Sequence, residues 1–164
     1  MKTSKIGVAL SGGGFRATLF HLGVVRFLYD AGLLPQLHCI TSVSGGSILA
    51  AHLALNWNRY TGVAEDFDAA AKEIVHFTMA DIRGRILRRW VLAWITLLPR
   101  ILQRGRWKLT NMLKHSYGEL FKNATLGSLP ATPEVHILST SMTKGRLWSC
   151  DRMGVCFDPD EQER

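Results

Sequence analysis

Hydrophobic positions first gather in a short β-branched run, Lys5 to Ser11 (KIGVALS), that stops at Gly12-Gly13-Gly14. An apolar run of this length closed by glycines predicts a buried parallel strand entering a tight loop. From Arg16 to Ala31, Leu19, Leu22, Gly23, Phe27 and Ala31 recur at three and four, which predicts a helix with one apolar face; Gly32 and Pro35 are its stop signals. His38 to Ser42 (HCITS) predicts a second strand, and Gly45-Gly46 opens a second helical pattern running to about Trp57. Strand, helix, strand and helix in succession predict a βαβα unit on a mostly parallel sheet, an α/β fold sandwiched between helices. A further helix is expected from Ala64 to Ala80. Val135 to Ser141 and Arg146 to Cys150 predict two strands about the turn Thr143-Lys144-Gly145. The polar tail from Asp158 is expected to fray, and no repeat or low-complexity linker interrupts the chain.

Between Ile82 and Gly118 the pattern changes. This stretch holds nine Arg or Lys residues and no acid, more than the net charge of +7 for the whole chain. On a helix, Ile86, Trp90, Trp94, Leu97 and Ile101 fall on one side while Arg85, Arg88, Arg89 and Arg100 gather on the other, with a break expected at Pro99. A basic amphipathic segment with tryptophans over about 82–118 suits an anionic membrane surface, engaged through Arg83, Arg85, Arg88, Arg89, Trp90, Trp94 and Arg100. The plainer reading is an apolar face packed on the domain's own sheet with solvated arginines. No nucleic-acid motif accompanies the charge, so no nucleic-acid partner is expected.

With 164 residues, 47% of them hydrophobic, the chain has room for one domain with a real core, and its composition excludes disordered and fibrous classes. Cys39, Cys150 and Cys156 contain no C-x-x-C pair, so neither a disulfide framework nor a zinc site is expected, and a reduced, cytoplasmic protein is. The N-terminus lacks a signal-peptide core, and the apolar run Trp90 to Pro99 is about half the roughly 20 residues of a membrane span. The sequon Asn123-Ala124-Thr125 is read as coincidental.

Two motifs carry chemistry. Ser42-Val43-Ser44-Gly45-Gly46 lies between a predicted strand and a predicted helix, the setting of a nucleophile elbow, in which a strained turn among small residues lifts a serine oxygen above the sheet. Ser44 would be the nucleophile, at a helix N-terminus whose free N–H groups favour a developing oxyanion. The structural alternative is a plain N-cap. Gly12-Gly13-Gly14-Phe15-Arg16 occupies the preceding strand-to-helix loop on the same carboxyl edge of the sheet, and glycine N–H groups can converge there as an oxyanion hole. Arg16 either fixes the loop, binds a substrate phosphate, or is an ordinary surface arginine.

The order, spacing and context of SGGGFRA and, about 30 residues later, SVSGGS resemble the patatin-like phospholipase family, and LFKNATLGSLPATPEVHILSTSMTKGRLW is similar to a later stretch of it. The resemblance covers most of residues 1–164, read as the N-terminal part of one patatin-like domain, incomplete at its C-terminal side. It implies hydrolysis of lipid or phospholipid acyl esters by a serine and aspartate dyad, with no metal or organic cofactor: Ser44 attacks, and Gly12, Gly13 and Gly14 with the N–H of Gly45 hold the oxyanion. Ser42 stands where the general elbow has glycine, a small residue the turn accepts. The family's aspartate stands in an Asp-Gly turn, and this sequence has no Asp-Gly dipeptide; Asp151, Asp158 and Asp160 are the late aspartates. A serine, histidine and acid triad has no well-placed histidine among His21, His38, His52, His76, His115 and His136; His21 and His52 fall on helices that begin at the two functional loops and could border the crevice, and a core or rim role is expected for both. Without the aspartate, a non-catalytic lipid-binding or membrane-associated module is the second expectation. Dinucleotide binding is the third: the glycine loop fits G-x-G-x-x-G/A, but no acid ends the second strand.

Overall fold

Alternation turns Ile6, Val8 and Leu10 inward along β1 (Ile6–Leu10), while Gly7 and Ala9 are exposed on the other face. The computed structural model of the chain describes residues 5–79, 109–141, 145–154 and 156–157. α1 (Gly14–Asp30) follows β1, and β2 (Leu37–Val43), α2 (Gly45–Leu55), the short α3 (Trp57–Tyr60) and α4 (Ala64–Met79) come next. After them stand α5 (Leu109–Leu120), β3 (Glu134–Thr140), β4 (Leu147–Cys150) and β5 (Cys156–Phe157). The basic segment expected over 82–118 lies outside the described residues except where α5 covers its end.

The sheet runs in the order β1-β2-β3-β4-β5. β1, β2 and β3 are mutually parallel, with Val8 beside Ile40 and Ile40 beside Val135, and β4 and β5 return as antiparallel neighbours. The chain therefore has the α/β class and mostly parallel sheet its pattern predicts. Right-handed crossovers that step in one direction place α1 and α2 on the same face, and the two helices pack on each other there. Leu37 and Ile40, three apart, both reach the core because the β1–β2 register shifts between Ile6 and Gly7. Gly145, at a φ of 65°, closes the β3–β4 hairpin by donating to the Ser141 carbonyl at 2.7 Å. Across the β4–β5 ladder Cys150 stands opposite Cys156, and Cys150 is disulfide-bonded. This corrects the expectation of reduced cysteines for Cys150, whose bond carries no local signal in a chain without a C-x-x-C pair.

The core gathers Leu10, Val25, Leu34, Ile40, Leu49 and Leu53 with Tyr60, Phe67 and Ile74. Each such side chain stabilises the fold by about 1.5–3 kcal/mol of burial. α1 is tied to α4 by Arg26, which bonds Asp30 and Asp68 and lies over the rings of Tyr29 and Phe67.

Fully buried His52 joins three elements. Its Nε2 lies 3.2 Å from Glu73 Oε2, its Nδ1 lies 3.0 Å from the Tyr60 hydroxyl, and the other Glu73 oxygen takes Arg59 at 2.8 Å. A neutral ring that donates from Nε2 to the carboxylate and accepts the Tyr60 proton satisfies every partner. Burial lowers the His52 pKa against the opposing pull of Glu73, and bonds from Arg59 and His52 lower that of Glu73. Burial also raises Tyr60, which stays a phenol. For both lowered groups the unfolded chain binds more protons than the folded one, so their contribution is complete above the ordinary histidine value of 6.5 and is lost as pH falls below it. The urea midpoint is expected to be level from about pH 7 to 8 and to decline from about pH 6.5 to 5. His52→Gln, which cannot charge, removes that part of the decline; an unchanged slope in the variant would refute the assignment.

Candidate active site

At the carboxyl ends of β1 and β2 two strand-to-helix turns touch. Ser44, exposed, ends the second turn with φ 51° and ψ −114°, a left-handed conformation that costs a non-glycine residue about 1–3 kcal/mol. It occupies the N-cap position of α2, yet its side chain makes no capping hydrogen bond. The plain N-cap reading would have that oxygen accept a helix N–H, and it does not. Gly13 (φ 141°) and Gly14 (φ 65°) shape the first turn and open α1. A Cβ on Gly12 would stand 3.4 Å from that of Ser44, so the glycine loop passes directly beside the serine. Behind them the backbones are in contact: a Cβ on Gly45 would fall on the carbonyl of Gly14, and one on Gly46 on the carbonyl of Leu10.

Ser44 opens into a pocket of about 290 Å³ lined by Gly14, Phe15, Ser44, Gly45, Ile48 and Tyr117. Its outer wall is aromatic. Phe15 meets Phe77 edge-on at 5.7 Å, Phe77 meets Tyr117 at 5.4 Å, and Tyr117 stacks on Phe121 at 6.4 Å. The volume is at the small end of the range for ligand sites, about 300–1,000 Å³, and suits one slender apolar group. The positive end of α2 points at the mouth, where its first N–H groups have no intrahelical acceptor.

Of the residues singled out in the sequence, Ser44, Gly12, Gly13, Gly14 and Gly45 come together here. Arg16 is exposed on the side of α1 opposite buried Thr18, Leu22 and Val25, and it does not line the pocket. Ser42 is fully buried and donates to the His136 carbonyl at 3.3 Å, so a small polar residue fits the first position of the turn. His21 bonds Ser11, His52 bonds Tyr60 and Glu73, and His136 faces Glu134 at 4.0 Å. Asp151 accepts the N–H of Met153 within its own turn, at 2.7 Å. Asp158, Asp160 and Arg83 through Arg100 lie outside the described residues.

Sequence reasoning missed Phe15, Ile48 and Tyr117 as pocket walls, and Thr18, whose hydroxyl reaches the Gly45 carbonyl at 2.8 Å. Thr18 carried a signal, a hydroxyl on the apolar side of a helix. Tyr117 carried none, because α5 is distant in sequence from both loops.

The protein is of the α/β class, with a mostly parallel sheet whose first two strand-to-helix turns meet at an exposed serine on the carboxyl edge. The chain belongs to the patatin-like phospholipase family, whose model matches residues 8–160. It is similar to the protein described as probable lysophospholipase 2 of Schizosaccharomyces pombe (strain 972 / ATCC 24843), with 25% identity over 167 residues, 77% of this chain and 26% of that protein. It therefore spans about a quarter of the curated relative it matches. No solved structure matches it. Among the described residues no helix is long and apolar enough to cross a membrane.

Proposed function

We propose that the chain carries the acyl-transfer site of a lipid acyl hydrolase. The observation that carries the reading is Ser44 itself: an exposed serine in a strained turn, released from capping, at the mouth of an apolar pocket and beside a glycine loop. Ser44 Oγ attacks the ester carbonyl while the N–H groups of Gly12, Gly13, Gly14 and Gly45 take up the negative charge. The new bond is Oγ to acyl carbon. The bond that breaks joins that carbon to the lipid alcohol, which leaves with the proton lost by the serine, and water then releases the fatty acid. The pocket holds the acyl chain against Phe15, Ile48 and Tyr117. Family membership and likeness to a protein described as a lysophospholipase support a lipid ester as substrate.

Docking on an anionic membrane through Arg83, Arg85, Arg88, Arg89, Trp90, Trp94 and Arg100 belongs to the same proposal and is supported by the charge pattern. The second reading is a non-catalytic lipid-binding module, for which the basic amphipathic pattern over 82–118 and the apolar pocket suffice without chemistry. A fluorophosphonate ester separates the two. The hydrolase is expected to be labelled stoichiometrically at Ser44, located by peptide mass. A binding module would co-sediment with phosphatidylglycerol vesicles and stay unlabelled, which would end the hydrolase reading.

A further inference from the structure

Three glycines in succession give a loop whose conformation no side chain of its own can hold. An oxyanion site nevertheless needs its donors about 2.7–3.1 Å from the oxyanion. The anchors come from the buried side of α1. Thr18 is fully buried, and its hydroxyl donates to the Gly45 carbonyl at 2.8 Å, with the Gly14 carbonyl next nearest at 3.3 Å. One turn further on, His21 is 6% exposed, and its Nε2 lies 3.2 Å from the Ser11 carbonyl and 3.1 Å from the Ser11 hydroxyl. Because a carbonyl only accepts, that contact assigns the ring proton to Nε2. Thr18 thus grips the residue after Ser44, and His21 grips the residue before Gly12.

We propose that Thr18 and His21 are positioning residues, a two-point clamp that fixes the glycine loop against the Ser44 turn. Neither touches the pocket, and both act through the backbone they hold. The consequence for rate rests on the hydrolase reading; the clamp itself does not. Without either bond the loop is free to shift relative to Ser44, and a misplacement of about 1 Å at a reacting centre can cost about 10²-fold.

The test uses the full chain and Thr18→Val, Thr18→Ser, His21→Leu and His21→Gln, since serine keeps the hydroxyl and glutamine can place an N–H near Nε2. Fluorophosphonate labelling of Ser44 is expected to slow roughly tenfold to a hundredfold in Thr18→Val and His21→Leu, and to recover in the two conservative variants. Unchanged labelling in the first pair overturns the clamp. If the unaltered chain is not labelled at all, the hydrolase reading fails and hydrogen exchange decides the clamp separately. Faster exchange confined to 11–14 and 44–46, with α4 unchanged, upholds it, and uniform exchange overturns it. Loss of the fold in both Thr18→Val and His21→Leu, read by circular dichroism, overturns it in favour of plain core packing.

Discussion

A Ser44→Ala chain is expected to lose hydrolysis of a medium-chain p-nitrophenyl ester by about 10³-fold or more, while its circular dichroism and urea midpoint match those of the parent. The size follows from the proposed chemistry. Removing a nucleophile removes the covalent route, and only weak catalysis by the remaining donors and binding survives. The fold is unaffected because Ser44 is exposed and its side chain caps no helix N–H. Alanine meets the same backbone strain at φ 51°, so no relief or added cost is expected. Ester turnover in the variant equal to that of the parent would remove Ser44 from the mechanism and the hydrolase proposal with it.

Gly45→Ala and Gly46→Ala are expected to have the largest effect on stability, each lowering it by about 3 kcal/mol or more, enough to leave much of the chain unfolded or insoluble. The two positions fail for one reason. A methyl on Gly45 would collide with the Gly14 backbone and one on Gly46 with the Leu10 carbonyl, so the obstacle is main chain in both cases and cannot rotate away. Relief would require α2 to retreat from β1 and α1, opening the core formed by Leu10, Leu49 and Leu53. Gly23→Ala is the control: a Cβ there meets nothing within 4 Å, and on an exposed helix face alanine is expected to gain up to about 1 kcal/mol. Urea midpoints of the three variants check both statements. Equal midpoints would mean that the two turns are not in contact.

Much of this was legible in the chain. The strand and helix alternation through residue 79 was readable because each element announces itself locally: β-branched residues at period two, apolar residues at three and four, and glycine where a turn needs it. The meeting of Gly12–Gly14 with Ser44 was readable too, because parallel strands with right-handed crossovers bring successive strand-to-helix loops to one edge of the sheet. Membership of the patatin-like phospholipase family follows from the same motifs. Tertiary structure decided what depends on approach between distant segments. Tyr117 lines the pocket because α5 packs on Phe77. Thr18 and His21 face inward because α1 lies against α2 and α4. Arg16, with three chemical roles open in the sequence, faces outward because α1 turns its opposite side to the core. Cys150 is disulfide-bonded, which the spacing of the cysteines does not announce. Local pattern specifies which backbone conformation a segment adopts. Which side chains then meet is set by register and helix rotation, and those are settled by packing the whole chain at once.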